Sequence, residues 1–385
     1  MRPRALIAVT HLLGSGHLVR AMHLGRALVE GGFEVTLASG GTKLRAAPDA
    51  RIAFVQLPPI KTEGTDFRTL LDEDGRPIDD VRRPLRKAML AELAADIRPD
   101  VVVTEHFPFG RRQLADEFLG LIAAAKAANR ESIALSSIRD VLVTPRADRI
   151  VEAERRIAEH FDAVLVHGDE AFLPLDASWP VSSELAKVLC YTGYLTAPEE
   201  DVPVVDHGEV IVSGGGSAAS LPLFELAIAA AASRGDRRWR ILAGQGIAAA
   251  EFARLQGLAP DHVVVERARP DFPALLAGCA LSISQAGYNT VLDLVRAGRP
   301  AIVVPFDAGA ETEQAVRAAA MERAGLARCL RLSGEEPLTP EVLGAAVDEQ
   351  LRMGSVTSAT IDRNGMGKVA GIVMRLLADQ RRKTA

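Results

Sequence analysis

Two short stretches of this 385-residue chain combine residue types able to do chemistry on a phosphate-bearing ligand. The first is Gly14-Ser-Gly16-His17, with Arg20 three residues further on, a spacing that shares one helix face. Imidazole titrates near neutral pH and suits a general base, while a guanidinium suits an anion. The second runs from Ser284 through Gly287, Asn289 and Thr290 to Asp293. A glycine lets backbone approach a ligand closely, and the unpaired N–H groups that open a helix stabilise an anion. Asp293 falls about one turn further in, within reach of hydroxyls attached to that anion. A phosphate with a sugar beside it fits both features, which points to a nucleotide. Beyond them, Glu311, Glu313 and Gln314 stand where a second polar group of the ligand could sit.

Each stretch needs a strand before it and a helix after it. Ala5 to Thr10 reads as a buried strand, Leu18 to Leu28 as a helix stopped by Gly31-Gly32, and Phe33 to Ala38 as a second strand. That is a βαβ unit, the repeating piece of a doubly wound parallel sheet. The loop lacks the third glycine and the acidic residue of a dinucleotide fingerprint, so Gly14 and Gly16 could form only a tight turn. His17 has an equally bland reading as a capping or packing histidine. The same layout restarts at Glu209-Val-Ile-Val212, followed by Ser213-Gly-Gly215-Gly216-Ser217 and a helix over 221–233. Strands over 239–243, 262–265, 281–284 and 301–304 complete a second lobe, with a helix from Asn289 to Ala297.

Whole-chain properties exclude several classes. The length suits two domains, and 48% hydrophobic with 25% charged residues is a globular composition. A net charge of −5 leaves no excess of cation for general nucleic-acid binding. The three cysteines form neither a disulfide framework nor a metal-ligand spacing, which implies a cytoplasmic protein without a metal site. No apolar run reaches the roughly 20 residues that span a bilayer.

Between the lobes' signature stretches, the segment from Leu57 to Arg86 shows no strand or helix period and reads as a long loop. Arg82, Arg83, Arg86 and Lys87 then line a helical pattern. They make either a solvated face or a basic patch for peripheral contact with anionic lipid. Three later strand ends carry Glu105/His106, Arg139/Asp140 and His167/Asp169. Each alone suits a structural ion pair; aligned at one sheet edge they suit a cleft. Glu105 and His106 are therefore rivals of His17 for the base. Phe272, after Arg267-Ala-Arg-Pro-Asp, could stack on a nucleotide base or sit in a core. Tyr194 to Gly208 is Pro-rich and acidic and is the best linker.

The second lobe resembles the donor-binding half of the MurG-like GT-B glycosyltransferases. The shared elements are Ser284, Gly287, Asp293, Gly298-Arg299-Pro300, Pro305-Phe306 and Glu313-Gln314. Asp293 stands where that group has Glu, and the loop before Gln314 is about one residue longer. Gly-x-Gly-His with Arg20, Glu-His-Phe-Pro-Phe-Gly-Arg, Ser-Ile-Arg-Asp-Val-Leu and Tyr-Thr-Gly-Tyr extend the resemblance over nearly the whole chain. It implies an α/β GT-B fold, two Rossmann-like domains with a cleft between them. They span 1–197 on the acceptor side and 198–365 on the donor side, with a C-terminal helix (366–385) packing back on the first. It further implies inverting, metal-independent transfer from a UDP-sugar co-substrate, with no other cofactor, to a hydroxyl acceptor that can be lipid-linked at the inner face of the membrane. In that scheme Gly14, Gly16, Arg20, Gly215, Gly216, Ser217, Phe272, Gly287, Asn289, Thr290, Asp293, Glu313 and Gln314 hold the donor, and His17 is the base. UDP-sugar hydrolases and epimerases share the scaffold, as could a non-catalytic nucleotide-sugar binder.

Overall fold

The structure is a computed structural model and describes residues 2–12, 16–43, 49–63, 66–196, 204–215, 218–306, 312–333, 337–354 and 361–384. Gly14, Gly216, Ser217 and Glu311 lie outside the described residues. The chain divides into two compact units, Met1–Pro198 with Asp362–Ala385, and Glu199–Ile361. The return to the first unit thus falls at Asp362, a few residues ahead of the 366 read from the sequence.

In the first unit the strands are β1 (Arg4–Val9), β2 (Glu34–Ser39), β3 (Ala53–Gln56), a hairpin of β4 (Lys61–Glu63) and β5 (Asp66–Leu71), β6 (Val101–Glu105), β7 (Ile133–Arg139), β8 (Ala163–His167) and β9 (Leu189–Tyr191). Seven of them form one parallel sheet in the order β3-β2-β1-β6-β7-β8-β9. In-register pairing such as Ile7 with Val103 and Leu135 with Ala163 stacks apolar residues on both faces. Strands buried on both faces read as continuous apolar runs, which is why these were legible. The segment from Leu57 to Arg86 is not a structureless loop: β4 and β5 pair antiparallel within it. Its short, polar strands lack the alternation that marks a half-buried strand.

The helix Arg82–Ile97 corrects the basic-patch reading. Arg86 is fully buried, and all five of its N–H groups have acceptors. Nε and Nη2 grip both oxygens of Glu117 at 2.9 and 2.7 Å. Nη1 donates to Gly40 O (2.9 Å) and Pro58 O (2.6 Å), and Nη2 to Thr10 Oγ1 (3.0 Å). Arg82 is bound to Glu73 and to Pro59 O, and Arg83 donates to Gln113 O. Three of the four cations are therefore turned to protein groups. Arg86 ties together the chain just after β1, β2 and β3. A Cβ on Gly40 would lie 2.3 Å from the Arg86 guanidinium, so this close approach requires glycine.

The helix Gly365–Thr384 belongs to the first unit and buries Val369, Val373 and Leu377 in the apolar cluster that holds Leu18, Leu24 and Leu28 of the helix Gly16–Glu30. Gly31 permits this: a Cβ there would stand 2.2 Å from the Ala370 Cβ.

The second unit holds β10 (Val210–Ser213), β11 (Trp239–Ala243), β12 (Val263–Arg267), β13 (Leu281–Ser284), β14 (Ala301–Val303) and β15 (Arg328–Cys329). They form a parallel sheet in the order β12-β11-β10-β13-β14-β15. Both sheets reverse direction of strand addition beside their first strand, at β1/β6 and at β10/β13. Ligands of such sheets bind at the carboxyl ends of the strands at that switch point. Among the described residues no helix is long and apolar enough to cross a membrane.

Candidate functional site

In the first unit the switch point brings together residues 88 positions apart. The helix Gly16–Glu30 starts just after β1 and carries His17 and Arg20, while Glu105 ends β6. His17 Nδ1 lies 3.1 Å from Glu105 Oε1, and Arg20 Nη2 is bonded to the same oxygen. Glu105 is 1% exposed, Arg20 7% and His17 15%, so a buried, paired carboxylate backs a histidine that still reaches the surface. Arg20 Nη2 also stands 3.0 Å from His17 Nδ1. A guanidinium can only donate, so Nδ1 either donates to Glu105 or accepts from Arg20, never both.

Electrostatics hold this histidine neutral. Burial, then Arg20, Arg111, Arg139 and His11, push the His17 pKa well below the ordinary imidazole value. His106 follows β6 with φ of +68°, its ring centroid 4.9 Å from that of His17. Gly110 makes room for it, since a Cβ there would meet the His106 ring at 2.3 Å. Burial first, then the neighbouring His17, Arg111 and Arg139, lower the His106 pKa as well, against an opposite pull from Glu105. A neutral imidazole is the form that can accept a proton.

His167, one of the strand-end groups read from the sequence, and two hydroxyls not singled out there complete the neighbourhood. Ser137 on β7 donates to Glu105 Oε2 at 2.5 Å, and its Oγ lies 3.0 Å from Nε2 of His167, at the end of β8. Thr192 Oγ1 is 2.9 Å from His167 Nδ1. Ser137 lies inside an apolar run, and only strand register turns its hydroxyl to Glu105, with which it pairs across the sheet. The other strand-end acids serve the scaffold. Asp140 accepts from Tyr194 Oη (3.1 Å) and from Val141 N (2.8 Å), and Asp169 accepts from Asp362 N and Ala171 N.

In the second unit Gly287 caps the helix Tyr288–Ala297, which opens directly after β13. Asn289 is exposed and Thr290 half-buried on its first turn; Asp293 lies half-buried one turn on. Burial raises the Asp293 pKa to about 6, against a weaker opposite pull from Arg296. Gly215 follows β10, and its N–H is held by Gln285 Oε1 at 3.0 Å, while Gln285 Nε2 donates to Ala219 O at 3.2 Å. Gln285 thus clamps the two loops of the β10/β13 switch point to each other, a role invisible without the pairing of those strands. Glu313 is buried and faces Arg317 at 3.8 Å, and Arg317 Nη1 donates to Ala286 O at 3.1 Å, just ahead of the Gly287 cap. Gln314 Oε1 accepts from Phe306 N at 3.0 Å. Phe272 is half-buried at the start of the helix Phe272–Ala277, and Gly16 is exposed at the start of its own helix. Among the described residues no three His, Cys, Asp or Glu side chains gather as a metal site.

Two parallel switch-point sheets define an α/β protein of the GT-B fold, and solved structures agree over the full length. CalG4, the calicheamicin glycosyltransferase, superposes with a TM-score of 0.63 at 18% identity, covering 98% of this chain and 99% of its own. MurG of Acinetobacter baumannii gives a TM-score of 0.60 at 15% identity, covering 99% of this chain and all of that one. Residues 210–373 match the glycosyltransferase family 28 C-terminal domain. The chain thus has the GT-B fold, and within it residues 210–373 are similar to the family 28 C-terminal domain. Curated relatives are UDP-N-acetylglucosamine–N-acetylmuramyl-(pentapeptide) pyrophosphoryl-undecaprenol N-acetylglucosamine transferases. That of Gloeobacter violaceus is 33% identical over 136 residues, 34% of this chain and 36% of its own. That of Solibacter usitatus is 39% identical over 88 residues, 22% of this chain and 24% of its own. The chain thus spans about a quarter to a third of the length of these relatives.

Proposed function

We propose that this protein transfers a sugar from a UDP-sugar to a hydroxyl acceptor with inversion and without a metal ion, the second unit holding the donor and His17 of the first acting as base. The observation that carries this reading is the His17–Glu105 pair at one switch point, in a chain whose other switch point lies in a family 28 domain. The acceptor O–H breaks as its proton passes to His17, and the freed oxygen pair forms the new bond to the anomeric carbon. The anomeric C–O bond breaks with its electron pair leaving on the diphosphate. Helix N–H groups at Gly287 and beyond stabilise that charge as it grows. The names of the curated relatives make UDP-N-acetylglucosamine the first donor to try and a lipid pyrophosphate the first acceptor.

The test is a thermal-shift screen of nucleotide sugars followed by product analysis in EDTA. A donor at a hundred times its Kd stabilises by about 2.7 kcal/mol. A glycosylated acceptor formed at undiminished rate in EDTA is the expected product. Free sugar or an epimer would redirect the reading to hydrolysis or epimerisation, and binding without turnover to a non-catalytic role.

Asp293 supplies a separate prediction. Its folded pKa of about 6 exceeds the ordinary value of 3.8. The folded state therefore binds this proton more tightly, and stability from it is present below about pH 4 and lost as pH rises through about 6. Asp293→Asn is expected to raise Tm at pH 7.5 and leave it unchanged near pH 4. If the ionised carboxylate accepts from the ribose, the same variant weakens UDP binding by roughly 1–3 kcal/mol at pH 7.5. Unchanged UDP affinity by calorimetry would remove Asp293 from the donor site.

A further inference from the structure

Behind Glu105 the first unit carries an unbroken line of buried hydrogen-bonding groups, Glu105, Ser137, His167 and Thr192. Ser137, His167 and Thr192 are each 0% exposed. None of them can reach a substrate, and a buried imidazole between two hydroxyls is expensive to place in an apolar sheet. Each proton in the line can be assigned. The Ser137 hydroxyl has one proton and two partners, Glu105 Oε2 at 2.5 Å and His167 Nε2 at 3.0 Å. The Thr192 hydroxyl, also with one proton, faces His167 Nδ1 at 2.9 Å, Gly193 O at 2.7 Å and Val166 O at 3.3 Å. Burial holds the His167 pKa down to about 3, so the ring carries one proton at neutral pH.

Two arrangements satisfy these limits. In one, Glu105 is ionised and accepts from Ser137, His167 Nε2–H donates to Ser137, and Thr192 turns its proton from Gly193 O and Val166 O to Nδ1. In the other, every bond is reversed: Thr192 donates to Gly193 O, His167 Nδ1–H to Thr192, and Ser137 to Nε2, which requires a protonated Glu105 donating to Ser137. The guanidinium of Arg20 bonded to Glu105 selects the first, because a cation favours the ionised carboxylate. The line is thus read from one end by Arg20 and His17, and its state is set by the charge on Glu105.

We propose that Ser137, His167 and Thr192 are positioning residues that aim the Glu105 carboxylate at His17 Nδ1 and share its charge, and so lower the pH at which the His17 ring takes up a proton. This rests on the reading of His17 as the base. The line passes no proton during the reaction; it stabilises the unprotonated pair that must exist before the acceptor is deprotonated. The other charged or titratable groups facing the pair are Arg20 on the first helix, His11 after β1, His106 and Arg111 after β6, and Arg139 at the end of β7. All of them are unchanged in the variants below.

Removing the Ser137 hydroxyl takes a donor from Glu105 Oε2 and leaves more of the carboxylate's charge for its contact with His17. The His17 ring then takes up its proton more readily, so its titration moves to higher pH. The experiment uses the full ligand-free chain with ¹⁵N-labelled histidine, following the His17 ring by NMR, with His17→Gln as the assignment control. In Ser137→Ala the titration is expected to move up by about one pH unit, with the near-isosteric Thr192→Val moving it the same way by less. His167 in the parent is expected as the Nε2–H tautomer. The acid limb of the pH–kcat profile, measured with the donor found in the screen, should move with the NMR titration, while Kd for UDP stays constant. A Ser137→Ala protein that melts lower but titrates like the parent would overturn the proposal, as would His167 in the Nδ1–H form. If no donor is turned over at all, the transferase reading fails while the ring titration still decides the proposal.

Discussion

Replacing His17 by alanine lowers kcat by about 10²–10⁴-fold while leaving the affinity for UDP close to that of the parent. The base acts only as the acceptor proton moves, so its loss appears in the transition state and not in donor binding. The geometry supports this division. His17 and its partners Glu105 and Arg20 all belong to the first unit, whereas Asp293 and Gly287 belong to the second. The measurement is kcat, UDP affinity and Tm on the same purified variant. A fall in donor affinity parallel to the rate would make His17 a diphosphate ligand. Full turnover per folded molecule at reduced Tm would make it a packing residue and transfer the role to His106, whose ring lies beside it.

Replacing Glu117 by alanine destabilises the first unit by roughly 3–5 kcal/mol, the usual cost of leaving a buried charge without its partner. Arg86 is 0% exposed and has no route to water, so its guanidinium loses two charge-assisted bonds and keeps only neutral acceptors. The double variant Arg86→Met/Glu117→Leu removes both charges and is expected to recover most of the loss, because the desolvation cost vanishes with the pair. Urea unfolding of the three proteins separates these outcomes. A Glu117→Ala protein within about 1 kcal/mol of the parent would mean that Arg86 can find solvent or another anion. Since Arg86 also bonds Thr10, Gly40 and Pro58, the single variant should additionally loosen the chain just after β1, β2 and β3.

Much of this protein was legible from residue order. The two sheets announced themselves because strands covered on both faces are short apolar runs, and glycines at strand ends punctuate them. The pairing of a glycine loop with His17 and Arg20, and of Gly287 with Asp293, was legible because helix spacing and helix N-termini are local properties. Even the rivalry of Glu105 and His106 with His17 was visible, since all three follow strands at the edge where ligands bind.

What residue order could not decide is which of these groups act together. Glu105 stands as a competitor of His17 in the sequence and as its partner in the fold, because β1 and β6 are neighbours across the switch point although 88 residues separate the two side chains. Arg86 reads as part of a basic surface and is instead a core residue, since its five acceptors come from three strand ends and another helix. Ser137 and Gln285 carried no local signal, and His167 only that of a strand end, since strand register alone turns their polar atoms toward Glu105 and Gly215. Periodicity and turn chemistry are set by neighbours in the chain, so a sequence displays them openly. Hydrogen-bond partnership and burial are set by neighbours in space, and those exist only once the sheet order is chosen.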